Sequence, residues 1–205
     1  MPNSQKFLAA VKDIAETVII SLAIFLLIYI FIAQPNKVDG PSMDPTLIDK
    51  QYIITNKLSY RFGTPKRGEI VVFHAPRVAC NSATMGNCLF IKRILAIPGD
   101  TLSLEEGIFY LNGLVLEENY LGPQVTTKPG NYINGQTVTL GEDEYFVAGD
   151  NRADSSDSRI WGPITRKNIV GKAFFTYRPL NRFGLIKDLE FSDQNLAPLT
   201  VPASL

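Results

Sequence analysis

Apolar side chains dominate Val18 to Ala33, where Ser21 and Tyr29 are the only polar positions and no residue is charged. At about 1.5 Å rise per residue a helix here covers about 24 Å, and with Thr17 and Gln34 in the interfaces it meets a hydrocarbon core of about 30 Å. The pattern predicts a transmembrane helix over 17–34, preceded by a short N-terminus (1–16) and followed by the bulk of the chain (35–205). A core helix of a globular domain and a removable secretion signal share parts of this pattern. Against the signal, Lys6 and Lys12 are diluted by Asp13 and Glu16, and "QPNKVDGPS" offers no small-x-small cleavage site. Lys37 and Lys50 after the span nearly balance the two lysines before it, so the positive-inside rule leaves the orientation open.

Beyond Gln34 the period falls to two. "QYIITNKLSY" (51–60), "GEIVVFHAPR" (68–77) and "CLFIKRILAIPGD" (88–100) read as strands separated by turn-rich segments. In "GIFYLNGLVL" (107–116) Asn112 and Gly113 between apolar flanks mark a tight hairpin. Strand character resumes in "TVTLGEDEYFVAGD" (137–150) and "IVGKAFFTYRPL" (169–180). Residues 120–136 read as a loop, and the tail from Asn181 as a mixed segment with a short helix or strand near Phe183 to Phe191. The predicted fold class is mostly β, with sheets closed or packed to cover their apolar faces.

Lysine plus arginine and aspartate plus glutamate balance at 20 each, which removes the broad basic field that nucleic-acid binding draws on. No glycine-rich phosphate loop or dinucleotide fingerprint occurs, and no cofactor is expected. One histidine and a Cys-x7-Cys pair make a poor metal signature. Cys80 and Cys88 bracket "NSATMGN", a loop long enough for a disulfide, which would put the domain on an oxidising side of the membrane; two free thiols fit the same spacing.

His74, the sole histidine, is the base a Ser-His-Asp hydrolase would need, yet its place on a strand face with Val72 equally suits a surface residue. Lys92 and Arg93 sit side by side in an apolar run. Alternation sends Phe90, Lys92, Ile94 and Ala96 to one face and Leu89, Ile91, Arg93, Leu95 and Ile97 to the other, so no choice of face frees both cations from apolar surroundings. Desolvation pushes a lysine toward the neutral amine that can take a serine proton, whereas a guanidinium keeps its charge. A snorkelling or ion-paired Lys92 is the plainer reading. Ser42, in "SMDPTLID", reads as a nucleophile or as a turn cap, and Met43 beside it suggests a membrane-facing surface. In "GDNRADSSDSRIWGP" (149–163) Asp157 and Arg159 can pair, and Ser155 can orient a nearby amine. Arg152 and Arg159 among the carboxylates speak against a calcium loop.

In their order, "GPSMDPTL", "FIKRILAIPGD" and "GDNRADSSDSRIWGPI", behind an apolar anchor, resemble the motifs of bacterial type I signal peptidases, from the span to about Arg178. The resemblance implies a Ser-Lys dyad, with Ser42 as nucleophile, Lys92 as general base and no catalytic histidine. It implies that Ser155 positions the lysine and that Asp157, Ser158 and Arg159 support the site, with an Asp157–Arg159 salt bridge. The implied oxyanion hole is the Ser42 backbone N–H plus, in many members, a hydroxyl two residues earlier. Gly40 stands at that position, and Pro41 has no N–H, so Ser42 N–H is the assigned donor. The implied fold is an antiparallel β catalytic domain with an apolar surface against the outer leaflet. It would follow a single anchor with a cytoplasmic N-terminus and an extracytoplasmic domain, in the plasma membrane or a thylakoid-type membrane. Cys80 and Cys88 resemble a similarly placed pair in some Gram-negative members.

The implied activity is removal of signal peptides from exported preproteins emerging from the secretion machinery, cleaving after small residues that shallow apolar subsites admit. The substrate would add as a strand to a sheet edge. Membrane lipid is the other expected partner. The competing readings are a non-catalytic membrane-anchored β domain that binds peptides or scaffolds a complex, and a Ser-Lys self-processing protease of the repressor kind, which the apolar span disfavours.

Overall fold

A computed structural model describes residues 2–80, 88–122, 125–189, 191 and 196–197; the loop inside the cysteine pair and the end of the tail, 198–205, lie outside the described residues. Helix α1 (Pro2–Leu27) passes into a π-helical turn (Ile28–Ile32), and β1 (Ala33–Lys37) starts at once. The helix thus begins well before residue 17 and excludes Ala33 and Gln34. Those two pair with Asn56 and Thr55 of the next strand; Ala33, already extended, still closes the helical turn with its N–H on Ile28 O. Every side chain from Lys6 to Ile32 is exposed, and the stretch is long and apolar enough to cross a membrane. An apolar helix uncovered by protein is solvated by lipid.

The strands that follow are β2 (Tyr52–Asn56), β3 (Ile70–His74), β4 (Leu89–Ala96), β5 (Thr101–Glu105), β6 (Ile108–Leu111), β7 (Leu114–Leu116), β8 (Val138–Thr139), β9 (Glu144–Ala148), β10 (Ile164–Thr165), β11 (Ile169–Arg178), β12 (Gly184–Leu185) and β13 (Leu196–Ala197). One sheet runs β1-β2-β11-β3-β4-β9-β10 with β12 on β11; the other runs β13-β7-β6-β5-β8. Their pairings are antiparallel. One-turn helices α2 (Ser59–Phe62) and α3 (Ser158–Trp161) punctuate the first sheet.

Local chemistry explains where expectation and structure part. The strand expected over 51–60 stops at Asn56, whose Oδ1 accepts from Leu58 and Ser59 N–H and turns the chain into α2. The hairpin forms as expected, with Asn112 at φ 53° and Gly113 at φ 80°, the left-handed pair that a two-residue turn needs. In β4 the alternation breaks at a register shift against β9 between Ile94 and Ala96. Ala96 therefore joins Leu95 in a core with Leu102, Phe109, Leu111 and Phe146, while Ile97 packs with Ile94 against the cluster of Val71, Phe73 and Val147. An inserted residue reverses every face beyond it, which simple alternation cannot foresee. The loop of 120–136 supplies the fully buried Ile133 to the first of these cores, and the tail supplies Phe191. A third cluster, Val38, Met43, Leu47, Ile53, Ile70 and Val72, gathers the chain after β1 onto β2 and β3.

Candidate active site

The segment that carries Ser42 is pinned at both ends. Val38 N–H donates to Gln51 O, Lys50 N–H donates to Val38 O, and Leu47 N–H donates to Met43 O. Met43 is wholly buried in the third cluster, so its apolar side chain packs on protein. A side chain anchored inward turns its neighbour outward, and Ser42 stands half-buried in a cleft of about 490 Å³.

Lys92 Nζ lies 2.5 Å from Ser42 Oγ. The side chain is 4% exposed, opposite the buried Val71 of β3. Burial pulls the amine down to about 8, against the pull of Asp157 and Asp150, which favour the ammonium; the Arg159 charge adds to the lowering. The adjacent cation is handled differently. Arg93 is 1% exposed and donates from Nε and Nη2 to Asp150 at 2.9 and 2.6 Å, and from Nη1 to Gly68 O at 2.7 Å. Both cations of the pair are thus buried, one as an amine inclined to lose its proton and one as a permanent charge in a bidentate ion pair.

The loop after β9 completes the site. Asp157 caps α3, accepts from Gly149 N–H at 3.0 Å and pairs with Arg159 through Nε and Nη2, each at 2.8 Å. Burial alone would raise the Asp157 carboxyl; the Arg159 hydrogen bonds and charge, with Gly149 N–H, outweigh it and hold the group below the usual carboxylate range. Ser158 Oγ accepts from Val147 N–H at 3.0 Å. Asn151 N–H donates to Ser42 O at 3.1 Å and Asn151 Nδ2 to Pro41 O at 3.2 Å, tying this loop to the Ser42 turn. Ser155 Oγ is buried in this loop but stands in hydrogen-bond geometry to no described group, Lys92 included.

Gly149 explains how the parts come so close. A Cβ there would stand 2.2 Å from Ser155 Oγ and 2.4 Å from Ser42 O, distances that force backbone to move. Gly149→Ala is expected to cost about 1 to 3 kcal/mol and to lower turnover at least about tenfold by displacing the Ser42 turn. Thermal melts and steady-state kinetics check both, and a variant with parental turnover would show that this corner is looser than the geometry demands.

Ser42 N–H makes no hydrogen bond among the described residues, whereas Gly40 N–H is engaged by Asp49 Oδ1 at 2.7 Å. Gly40 itself adopts φ +95° beside open space. The histidine reading has no support in the geometry: His74 is exposed at the end of β3, and it is Lys92 that reaches Ser42. Cys80 and Cys88 are joined in a disulfide with Cα atoms 6.0 Å apart, and both line the cleft. Residues 36–39 and 89–92 face one another across it, although β1 and β4 lie far apart in the sheet order, so the first sheet curls. Pairing of β4 with β9 begins only at Arg93, leaving one edge of Leu89–Lys92 open toward the cleft.

Sequence reasoning passed over three residues. Asp150 and Asn151 appeared only as part of a polar loop. Arg152, weighed only against metal binding, has a fully buried side chain that donates to Gly149 O at 2.9 Å and to Thr127 Oγ1 at 3.0 Å and pairs with Glu118. An arginine four residues after an apolar strand, in a tight Gly149-Asp150-Asn151 turn, was the available signal.

A family model described as signal peptidase, peptidase S26, matches residues 11–178. The chain is 36% identical over 94% of its length to a probable signal peptidase I-2 of Synechocystis sp., covering 89% of that protein. It is 37% identical over 82% of its length to a signal peptidase I of Leptolyngbya laminosa, covering 80% of it, and 33% identical over 84% to signal peptidase IB of Staphylococcus aureus, covering 93%. With a lipid-solvated N-terminal helix ahead of a curled β domain, the chain belongs to the signal peptidase family, peptidase S26, as a membrane-anchored endopeptidase of the signal peptidase I type.

Proposed function

We propose that Ser42 and Lys92 are the dyad with which this endopeptidase removes signal peptides, the carrying observation being the 2.5 Å contact between Lys92 Nζ and Ser42 Oγ at a buried amine. Neutral Lys92 takes the hydroxyl proton as Ser42 Oγ attacks the scissile carbonyl, and the Ser42 N–H, which has no other acceptor among the described residues, donates to the oxyanion. The ammonium then protonates the leaving amine, and the same lysine activates the water that hydrolyses the acyl-enzyme. Asp157, Ser158 and Arg159 hold the loop that carries Ser155, whose buried hydroxyl would have to turn toward the amine to position it. Family membership sets aside the scaffold and self-processing readings.

The preprotein lies in the cleft as an added strand along the open edge of Leu89–Lys92, and small residues at the cut would fit shallow apolar subsites there. From Ala33 to Ser42 the chain reaches at most about 35 Å, so the nucleophile stays near the membrane surface where signal peptides emerge. The N-terminus is cytoplasmic and the catalytic domain extracytoplasmic, in the plasma membrane; the Cys80–Cys88 disulfide favours that side.

The test is to mix detergent-solubilised enzyme with a preprotein and map the cut by mass spectrometry across a pH series. Only the neutral amine accepts a proton, so kcat/KM is expected to rise about tenfold per unit below the amine's pKa and to level off near pH 8. Cleavage away from the signal-peptide junction would remove the substrate assignment, and a flat profile through neutral pH would remove Lys92 as the base.

A further inference from the structure

Where the anchor meets the β domain, a second pocket of about 280 Å³ is walled on one side by Ile30 and Phe31 of the π-helical turn and on the other by Lys57, Tyr60, Arg61 and Arg166. Lys57 Nζ donates to Tyr29 O and Ile30 O, both at 3.3 Å, capping carbonyls at the end of the helix. Arg61 lies over the Phe31 ring at 5.0 Å; Arg166 lies over the Tyr60 ring at 5.4 Å and donates to Tyr60 O. Among the described residues none of these three cations forms an ion pair with a carboxylate. The carboxylate beneath them, Glu69, accepts from Tyr60 Oη and is paired with Lys172.

The buried arginines around the dyad, by contrast, are each matched by a carboxylate: Arg93 by Asp150, Arg152 by Glu118 and Arg159 by Asp157. Helix carbonyls account for Lys57, but two guanidinium groups remain on aromatic faces with no anion. Two walls of the pocket, Ile30 and Phe31, belong to the membrane-crossing stretch, so the pocket opens at the bilayer surface. Phe62, next to Arg61 and 90% exposed, adds an apolar side chain suited to the boundary of the acyl chains. Guanidinium groups match phosphate oxygens in geometry as well as charge.

We propose that this pocket binds the phosphate of an anionic phospholipid headgroup from the leaflet at which the anchor emerges. A lipid held there clamps α2 and the start of β11 to the foot of α1 and so fixes the rotation of the catalytic domain about its anchor.

The test uses the full chain in a neutral detergent, titrated with dioleoylphosphatidylglycerol or dioleoylphosphatidylcholine, with retained lipid counted by native mass spectrometry. The anionic lipid is expected to be retained at least about tenfold better. Arg61→Gln and Arg166→Gln should each weaken its retention about fivefold, the double variant should abolish the preference, and Arg61→Lys should keep most of it. Lys12→Gln, on the far side of the apolar span, should leave it unchanged, and each variant should cleave a soluble peptide at the parental rate, which shows that it is folded. Equal retention of the two lipids, a preference that survives the double variant, or displacement of the lipid by inorganic phosphate at equal concentration would each overturn the proposal.

Discussion

Lys92→Met is expected to abolish preprotein processing while leaving a folded protein that, near neutral pH, is more stable than its parent. Removing a general base costs about 10² to 10⁴ in rate, and a serine hydroxyl without one is a poor nucleophile, so the upper end applies. The gain in stability follows from the same burial. An amine lowered to about 8 from its ordinary 10.5 holds its proton less tightly folded than unfolded. Below the folded value both states are protonated, and the fold carries a penalty on the order of 3 kcal/mol for the buried ammonium. As pH rises from about 8 toward the unfolded value the penalty fades. Methionine, apolar and of similar length, never incurs it. The stability advantage of Lys92→Met should therefore be full at neutral pH and vanish in strongly alkaline solution, a dependence that chemical denaturation at several pH values reads directly. Ser42→Ala should be equally inactive without that pH-dependent gain. Turnover by Lys92→Met within tenfold of the parent, or an advantage independent of pH, would remove the buried amine from the mechanism.

The order of legibility along the chain follows from what each signal measures. The anchor was readable because lipid imposes a length and a composition, but its ends were not, since Ala33 and Gln34 leave the helix only to satisfy pairing with β2, a long-range event. Strand positions followed from period two, and the hairpin from the conformational preference of Asn112 and Gly113. The faces of β4 were readable up to Ile94 and wrong beyond it, since a register shift against β9 depends on a strand fifty residues away. Ser42, Lys92, Asp157 and Arg159 stood out in their motifs. That adjacent Lys92 and Arg93 posed a burial problem was visible in the sequence; that Asp150 solves half of it was not, because the partner comes from another strand's end. Met43 shows the same limit, since its proximity to the anchor in sequence says nothing of the core that claims its side chain.

Asp150→Ala should be among the most destabilising single changes in the catalytic domain. The Arg93–Asp150 pair is almost wholly withdrawn from water, at 1% and 0% side-chain exposure. Truncating Asp150 strands a guanidinium that cannot shed its charge, with Gly68 O as its remaining close acceptor, and such losses cost about 3 to 5 kcal/mol. For a chain of this size that corresponds to a fall in melting temperature of about 10 °C. Asn151, the next residue, donates to Ser42 O, so the damage should also reach turnover under conditions where the variant remains folded. Asp150→Asn, which keeps an acceptor but loses the charge, should fall between parent and alanine variant. The pair itself need not add net stability, since its attraction is set against the desolvation of both ions. Replacing both by apolar residues, as Arg93→Met with Asp150→Leu, should therefore recover most of the melting temperature that Asp150→Ala loses, while turnover stays low because the loop is no longer fixed to β4. A single variant that melts with the parent, or a double variant no better than the sum of its parts, would mean that the ion pair does not hold the Asn151 corner against β4.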